Sequence, residues 1–142
     1  MGAGGVVVIG GSATGAAIGT GIAAAAFPTS IDEDRFTLYR GGSATNSNLT
    51  PRPGKDTDGL TAWNSVFSAT KPGGKAQVID PSLFVNLQAV YTPQHGGVGH
   101  YSITSGNAAT DAQWAATRGG EVPHPLTLEL RAAIITEVRL PK

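Results

Sequence analysis

Three polar segments of the chain, residues 39–42, 50–65 and 99–103, combine turn-forming glycine or proline with side chains that bind anions or orient hydroxyl groups. Glycine and proline fix the backbone of tight turns. Arginine forms strong, paired hydrogen bonds with phosphate oxygens. We therefore expect the three segments to form three sides of one cleft that binds a phosphate-bearing ligand.

Arg40 is the candidate anion ligand of the first segment. It ends a predicted strand and is followed by Gly41 and Gly42, so its planar guanidinium can meet a phosphate while the glycines keep the backbone clear. A surface ion pair with Asp32 or Asp34 is the alternative interpretation.

Hydroxyl and aromatic side chains follow in the second segment. Thr61 and Ser65 are candidates for hydrogen bonds to a ribose or an amide, although such residues also serve as helix caps. Trp63, between them, is either a core residue or a stacking platform.

His100 and Tyr101 are neighbours on a predicted strand, so their side chains point to opposite faces. One of them should face the core and the other a cleft. The three histidines do not have the spacing of a zinc site, which predicts that no metal is bound.

Carboxylates near the end of the chain complete the set of candidates. Glu121 lies in a predicted loop after Gly119 and Gly120 and can face a ligand there. Glu129 and Glu137 lie in or after the last predicted helix, where solvated or capping roles are the ordinary ones.

The elements that position these residues are short, and they predict an α+β fold. Alternation and turn residues predict strands over residues 35–40, 84–91, 100–104 and 138–140. Capping patterns predict helices over 111–117, with Thr110 as N-cap, and over 125–135, opened by Pro125. Residues 41–59 form an irregular loop, and 60–67 are either helix or strand.

Composition limits the classes of function. The 142 residues are enough for one domain with its own core. A formal net charge of zero argues against binding of extended nucleic acid. The absence of cysteine excludes thiolate catalysis, disulfides and cysteine-based zinc sites.

The chain divides at Ile31, because residues 1–31 contain no ionisable side chain. We predict an uncharged Gly/Ala-rich leader or linker over 1–31 and a catalytic domain over 32–142, for which no stable membrane insertion is expected. Gly-x-x-x-Gly spacings in the first part also suit a packed or membrane-inserting helical hairpin. A dinucleotide-binding fingerprint over residues 6–15 is disfavoured, because Ser12 replaces its middle glycine.

The order of several segments resembles a known family of proteins. Residues 37–40, 55–61 and 100–103 resemble, in that order, type VI secretion toxins with an ADP-ribosyltransferase-like fold. Trp114, Arg118-Gly119 and residues 124–130 resemble C-terminal domains of Rhs-type polymorphic toxins. Together these matches cover about residues 35 to 135.

The resemblance implies a small split sheet, mixed or antiparallel, with flanking short helices that grip NAD and break its nicotinamide glycosidic bond. For the carboxylate of such a site, Glu121 is the first choice and Glu129 the second. The sequence departs from the family's pattern here, because no Glu-x-Glu or Gln-x-Glu pair follows the helix. The implied catalytic residues are Arg40, Ser65 and Glu121. The implied NAD-binding residues are Tyr39, Arg40, Gly41, Thr61, Ser65, His100 and Tyr101.

The resemblance also implies a secreted or injected effector that acts in the cytoplasm of a target cell on an unidentified macromolecule, and a cognate immunity protein that covers the cleft. Transfer of ADP-ribose and hydrolysis of NAD both remain open. Two alternatives are a non-enzymatic binding module and a metal-independent ribonuclease. The ribonuclease would use His100, His124, Arg118 and Glu121.

Overall fold

A computed structural model describes residues 8–10 and 36–142 of the chain as an α+β structure. The strands are β1 (Val8–Gly10), β2 (Leu38–Gly41), β3 (Leu60–Trp63), β4 (Lys75–Ile79), β5 (Gln88–Tyr91), β6 (His100–Thr104) and β7 (Ile134–Arg139). The helices are α1 (Val66–Ala69), α2 (Pro93–Gly96), α3 (Ala108–Ala116) and α4 (Pro125–Ala132), with a 3₁₀ turn over Pro81–Leu83.

All seven strands form one sheet in the order β1-β5-β6-β3-β2-β4-β7. Every neighbouring pair within the described part of the chain is antiparallel. At the centre, β2 and β3 are in register at a single residue pair, Tyr39 and Trp63. The predicted α+β class is confirmed, but the sheet is continuous, and the parallel pairs of a mixed sheet are not found among these strands.

One face of the sheet packs into the hydrophobic core. Leu60 and Ala89 both pair with Ile103 across β3, β5 and β6, and all three side chains are fully buried. Trp114 of α3 and Leu130 of α4 belong to the same buried cluster. Burial of these side chains stabilises the sheet and fixes which side of each strand faces away from the core.

The two longer helices were predicted with partly wrong boundaries. Helix α3 begins at Ala108, because the side chain of Asn107 accepts a hydrogen bond from the Thr110 N–H and so takes the N-cap position. Helix α4 begins at Pro125 as predicted and ends at Ala132 rather than at residue 135. The β-branched residues that follow instead form β7, which pairs with β4.

The predicted strand over 84–91 is wrong in its first half. Glu129 of α4 accepts hydrogen bonds from the backbone N–H groups of Val85, Asn86 and Leu87, which therefore need no strand partner. Residues 60–67, left open between helix and strand, divide into β3 and α1. The prediction over 100–104 is confirmed by β6, whereas β4 was not predicted.

The start of the chain contributes β1, which pairs with β5 through Val8, Ile9 and Gly10. The antiparallel pairing of β1 does not suit a doubly wound parallel sheet. The rest of the fingerprint and the division at Ile31 lie outside the described residues. None of the described helices is long and apolar enough to cross a membrane.

Candidate functional site

The Arg40 side chain extends from β2 to β3 at the centre of the sheet. Its Nε donates to the backbone oxygen of Asn48 at 2.8 Å, and its Nη2 donates to the Asn48 Oδ1 at 3.1 Å. Its Nη1 donates to the backbone oxygen of Thr61 in β3 at 2.8 Å. These three bonds hold the guanidinium rigidly and engage three of its five N–H groups. Within residues 36–142, the remaining N–H on each terminal nitrogen has no acceptor. Asp32 and Asp34, the alternative ion-pair partners of Arg40, lie outside the described residues.

Arg40 lines an open cavity of about 420 Å³, which we call the arginine cavity. Burial lowers the pKa of Arg40 to about 10; Asp56 opposes this shift, and Arg52 and Arg118 add to it. Arg40 therefore keeps its positive charge at neutral pH. The cavity is also lined by Gly41, Gly42, Thr61, Trp63 and Lys71.

Gly41 allows helix α1 to pack closely against strand β2 beside the arginine cavity. A Cβ atom at this position would collide with the backbone oxygen of Ala69, the last residue of α1. Only glycine permits this approach of helix to strand. Lys71, which follows α1, lines the cavity together with Arg40, and no carboxylate of residues 36–142 is among the lining residues.

His100 lies on the sheet face opposite to Tyr101, as predicted, and is held by a chain of hydrogen bonds. Its Nδ1 is 3.0 Å from the backbone oxygen of Thr92, which can only accept, so Nδ1 carries the proton. Its Nε2 then accepts from the Thr61 hydroxyl at 3.2 Å. Thr61 consequently presents its oxygen lone pairs to a ligand.

His100 is neutral under ordinary conditions. Burial lowers its pKa; the hydrogen bond with the Thr92 backbone opposes this effect, and nearby His95 adds to it. The Trp63 ring packs edge-on against the His100 ring, with 4.9 Å between the ring centroids. These contacts keep Thr61 in one orientation beside the arginine cavity.

A second, polar cavity of about 250 Å³ is also lined by Thr61, and we call it the histidine cavity. Its lining includes Arg52, Lys55, Asp58, Thr61, His95 and His100. Gly59, at a φ of +119°, turns the chain here so closely that a Cβ would collide with the backbone oxygen of Ile103. This turn brings Asp58 to His95, with 3.0 Å between Oδ2 and Nε2.

Asp56 also lines the histidine cavity, but Arg52 occupies both of its carboxylate oxygens. The Arg52 backbone N–H and Nε donate to Oδ2, and Nη2 donates to Oδ1. Burial alone would raise the pKa of Asp56, but the hydrogen bonds and charge of Arg52, with the charge of Arg40, outweigh burial and lower it. The pair therefore fixes the loop over 52–56.

We expect protonation of Asp56 to make the protein less stable in acid. Because its folded pKa lies below the ordinary 3.8, Asp56 contributes stability above that pH and loses it as the pH falls through the folded pKa. We expect Asp56→Asn to lower the free energy of unfolding at pH 7 and to flatten its fall between about pH 5 and pH 3. Urea unfolding across this range measures both effects, and parallel curves for the two proteins would contradict the assignment.

Several of the predicted site residues have structural roles and lie outside the two cavities. Ser65 caps α1, since its hydroxyl accepts from the Phe67 N–H at 3.1 Å. Tyr101 is buried, and its ring packs against that of Tyr91, with 5.0 Å between the ring centroids. Tyr39 pairs with Trp63 at the sheet centre. None of Ser65, Tyr101 and Tyr39 lines either cavity.

The predicted carboxylates lie away from Arg40. Glu121 is exposed in the loop between α3 and α4 and lines neither cavity. Glu129 accepts four hydrogen bonds from residues 85–87, so its carboxylate is occupied. The structure thus brings Arg40, Gly41, Thr61 and His100 together and leaves Glu121 apart from them.

Lys71, Asp58 and His95 are site residues that the sequence did not single out as ligands. Lys71 precedes Pro72, Gly73 and Gly74, a turn signal that resembles the glycines after Arg40. Asp58 belongs to a segment that was singled out, but its partner His95 is distant in the chain. No sequence signal pairs these two residues.

Comparison of the chain with protein-family models, curated proteins and solved structures gave no match. Within residues 8–10 and 36–142, no three histidine or acidic side chains group together to hold a metal ion.

Proposed function

We propose that this protein is an NAD-dependent ADP-ribosyltransferase or NAD glycohydrolase that acts as an antibacterial effector. The observation that supports this proposal best is the charge of the arginine cavity. Among the residues that the structure describes, its lining includes two cations, Arg40 and Lys71, and no carboxylate, although the whole chain has a formal net charge of zero. A ligand with one or more phosphate groups suits such a cavity.

The position of Arg40 favours recognition of a diphosphate. Its guanidinium is fixed before a ligand arrives, because Asn48 and Thr61 hold three of its N–H groups. A cation that is already ordered loses little entropy on binding, so more of its interaction energy contributes to affinity. Lys71 is exposed and can close on the second phosphate.

The residues beside Arg40 suit the ribose and the ring of NAD. Thr61 donates its hydroxyl proton to His100 and so can accept a hydrogen bond from a ribose hydroxyl. Trp63 is partly exposed in the same cavity and offers an aromatic surface to a base. We also propose that the fold is ADP-ribosyltransferase-like. The single residue pair that joins β2 to β3 supports this proposal.

Calorimetric titration with NAD tests the proposal. We expect saturable binding that weakens with added salt, because phosphate contacts are screened. Lys71→Ala should weaken binding by about 10-fold, equivalent to about 1.4 kcal/mol, and Lys71→Arg should retain it. The exposed Lys71 side chain makes no hydrogen bond within the described part of the chain, so stability should not change. Absence of NAD binding by the folded wild-type protein would refute the proposal.

A ribonuclease is the second candidate, because two histidines share the histidine cavity with Lys55 and Arg52. The pair is His95 and His100, whereas the sequence suggested His100 and His124. His124 instead caps α4, with its Nδ1 accepting from the Leu126 N–H at 3.0 Å. Cleavage of RNA by the purified chain without NAD, lost in His95→Ala, would favour this candidate.

The biological setting that we propose follows from the family resemblance. An effector that consumes NAD or modifies a macromolecule in the cytoplasm of a target cell endangers its own producer. The producer would therefore need an immunity protein that covers the two cavities. A partner with acidic side chains would complement Arg40 and Lys71.

A further inference from the structure

We propose that Asp58 supplies the carboxylate that stabilises the positive charge formed on the ribose when NAD loses nicotinamide. This inference rests on the proposed function. It assigns a catalytic role to a residue that contacts His95 in the histidine cavity, which shares Thr61 with the arginine cavity.

The reaction needs a carboxylate near the ribose. As the glycosidic bond breaks, its electron pair passes to the ring nitrogen of nicotinamide, which leaves as a neutral molecule. Positive charge then spreads over the ribose C1′ and ring oxygen, where a carboxylate stabilises it. Water attacks C1′ and releases a proton to the solvent, so the products are ADP-ribose, nicotinamide and one proton.

Asp56 and Asp58 are the two carboxylates that line the histidine cavity. Asp56 is unsuitable, because Arg52 takes both of its oxygens and its side chain is only 8% exposed. Asp58 is 54% exposed and contacts His95 through Oδ2. Its Oδ1 makes no hydrogen bond within residues 36–142, so this oxygen can meet a ligand.

Thr61 links Asp58 to the proposed phosphate site, because it lines both cavities. A ribose that donates a hydroxyl to Thr61 would lie at the residue shared by the cavity of Arg40 and the cavity of Asp58. The tight turn at Gly59 joins Asp58 to β3 and sets this geometry. His95 orients the Asp58 carboxylate through its Nε2 contact.

Nicotinamide release and NAD affinity should be measured together for the wild-type protein, Asp58→Asn and Asp58→Glu. We expect Asp58→Asn to lower kcat by about 100-fold or more, with the Kd for NAD changed by less than about threefold. Asp58→Glu should recover part of the rate. A loss confined to kcat distinguishes stabilisation of the transition state from a structural role.

The matched control is Glu137→Gln, which makes the same acid-to-amide change in β7. Glu137 Oε1 accepts from the Gln77 side chain at 2.8 Å, and because an amide oxygen can accept this bond as well, the variant should retain the rate. Circular dichroism should give the same spectrum for all variants. An unchanged kcat in Asp58→Asn, with a loss in Glu121→Gln, would overturn the inference and leave the proposed function standing. A wild-type protein that neither binds NAD nor releases nicotinamide would overturn both.

Discussion

Arg40→Ala is expected to weaken NAD binding by at least about 100-fold, equivalent to about 3 kcal/mol. The variant loses the two N–H groups that have no acceptor within the described part of the chain and that we assign to phosphate oxygens. Hydrogen bonds to charged groups contribute about 1.5–3 kcal/mol each. It also leaves the backbone oxygens of Asn48 and Thr61 without their donor. Calorimetry should measure the affinity, and urea unfolding should measure an accompanying loss of stability.

Two further variants separate the ligand effect from the stability effect. Arg40→Lys keeps a positive charge but not the planar fork, so its NAD affinity should lie between those of the wild-type protein and Arg40→Ala. Thr127→Val removes a buried hydroxyl outside both cavities and should lower stability while NAD affinity is retained. Equal NAD affinity in Arg40→Ala and the wild-type protein would contradict the assignment of Arg40.

Trp114→Ala is expected to reduce the free energy of unfolding by about 3–5 kcal/mol, the usual cost of removing a buried aromatic side chain. Trp114 is fully buried in α3, and its Nε1 donates to the Thr127 hydroxyl at 2.9 Å. Thr127 also lies 2.7 Å from the Thr50 hydroxyl. The substitution therefore removes packing between α3, α4 and the loop before β3.

Urea unfolding followed by far-ultraviolet circular dichroism measures this change. Trp114→Phe is the matched control, because it keeps most of the apolar volume and loses the hydrogen bond to Thr127, and it should cost less than Trp114→Ala. Since small domains have about 5–15 kcal/mol of stability, Trp114→Ala should unfold at much lower urea concentration. A change below about 1 kcal/mol would show that the core does not depend on Trp114.

Much of the secondary structure followed from local patterns. The strand over 100–104 alternates apolar and polar side chains, and Pro125 marks the start of α4. Strand β4 was missed, because Lys75–Ile79 is short and lies between turn residues. Its assignment as a strand depends on pairing with β2 and β7, which sequence periodicity does not reveal.

The candidate site was likewise predicted only in part. Arg40 stands out because glycines follow it, and the structure places it in a cationic cavity. Its hydrogen bonds to Asn48 and Thr61 could not be predicted, since they depend on how the loop over 41–59 folds back. Glu121 was selected because it lies in a predicted loop after two glycines and because the family resemblance implies a carboxylate, whereas Asp58 becomes a candidate through its contact with His95.

The sequence by itself determined the α+β class, the absence of thiol chemistry and the residue types available for phosphate binding. These follow from composition, alternation and turn residues, which act over a few neighbouring positions. The tertiary structure decided which of those residues meet. Arg40 and Lys71 share a cavity because α1 packs closely on Gly41, and Asp58 meets His95 because the chain turns at Gly59. Contacts between distant positions arise from packing and strand pairing, and local sequence patterns do not encode them.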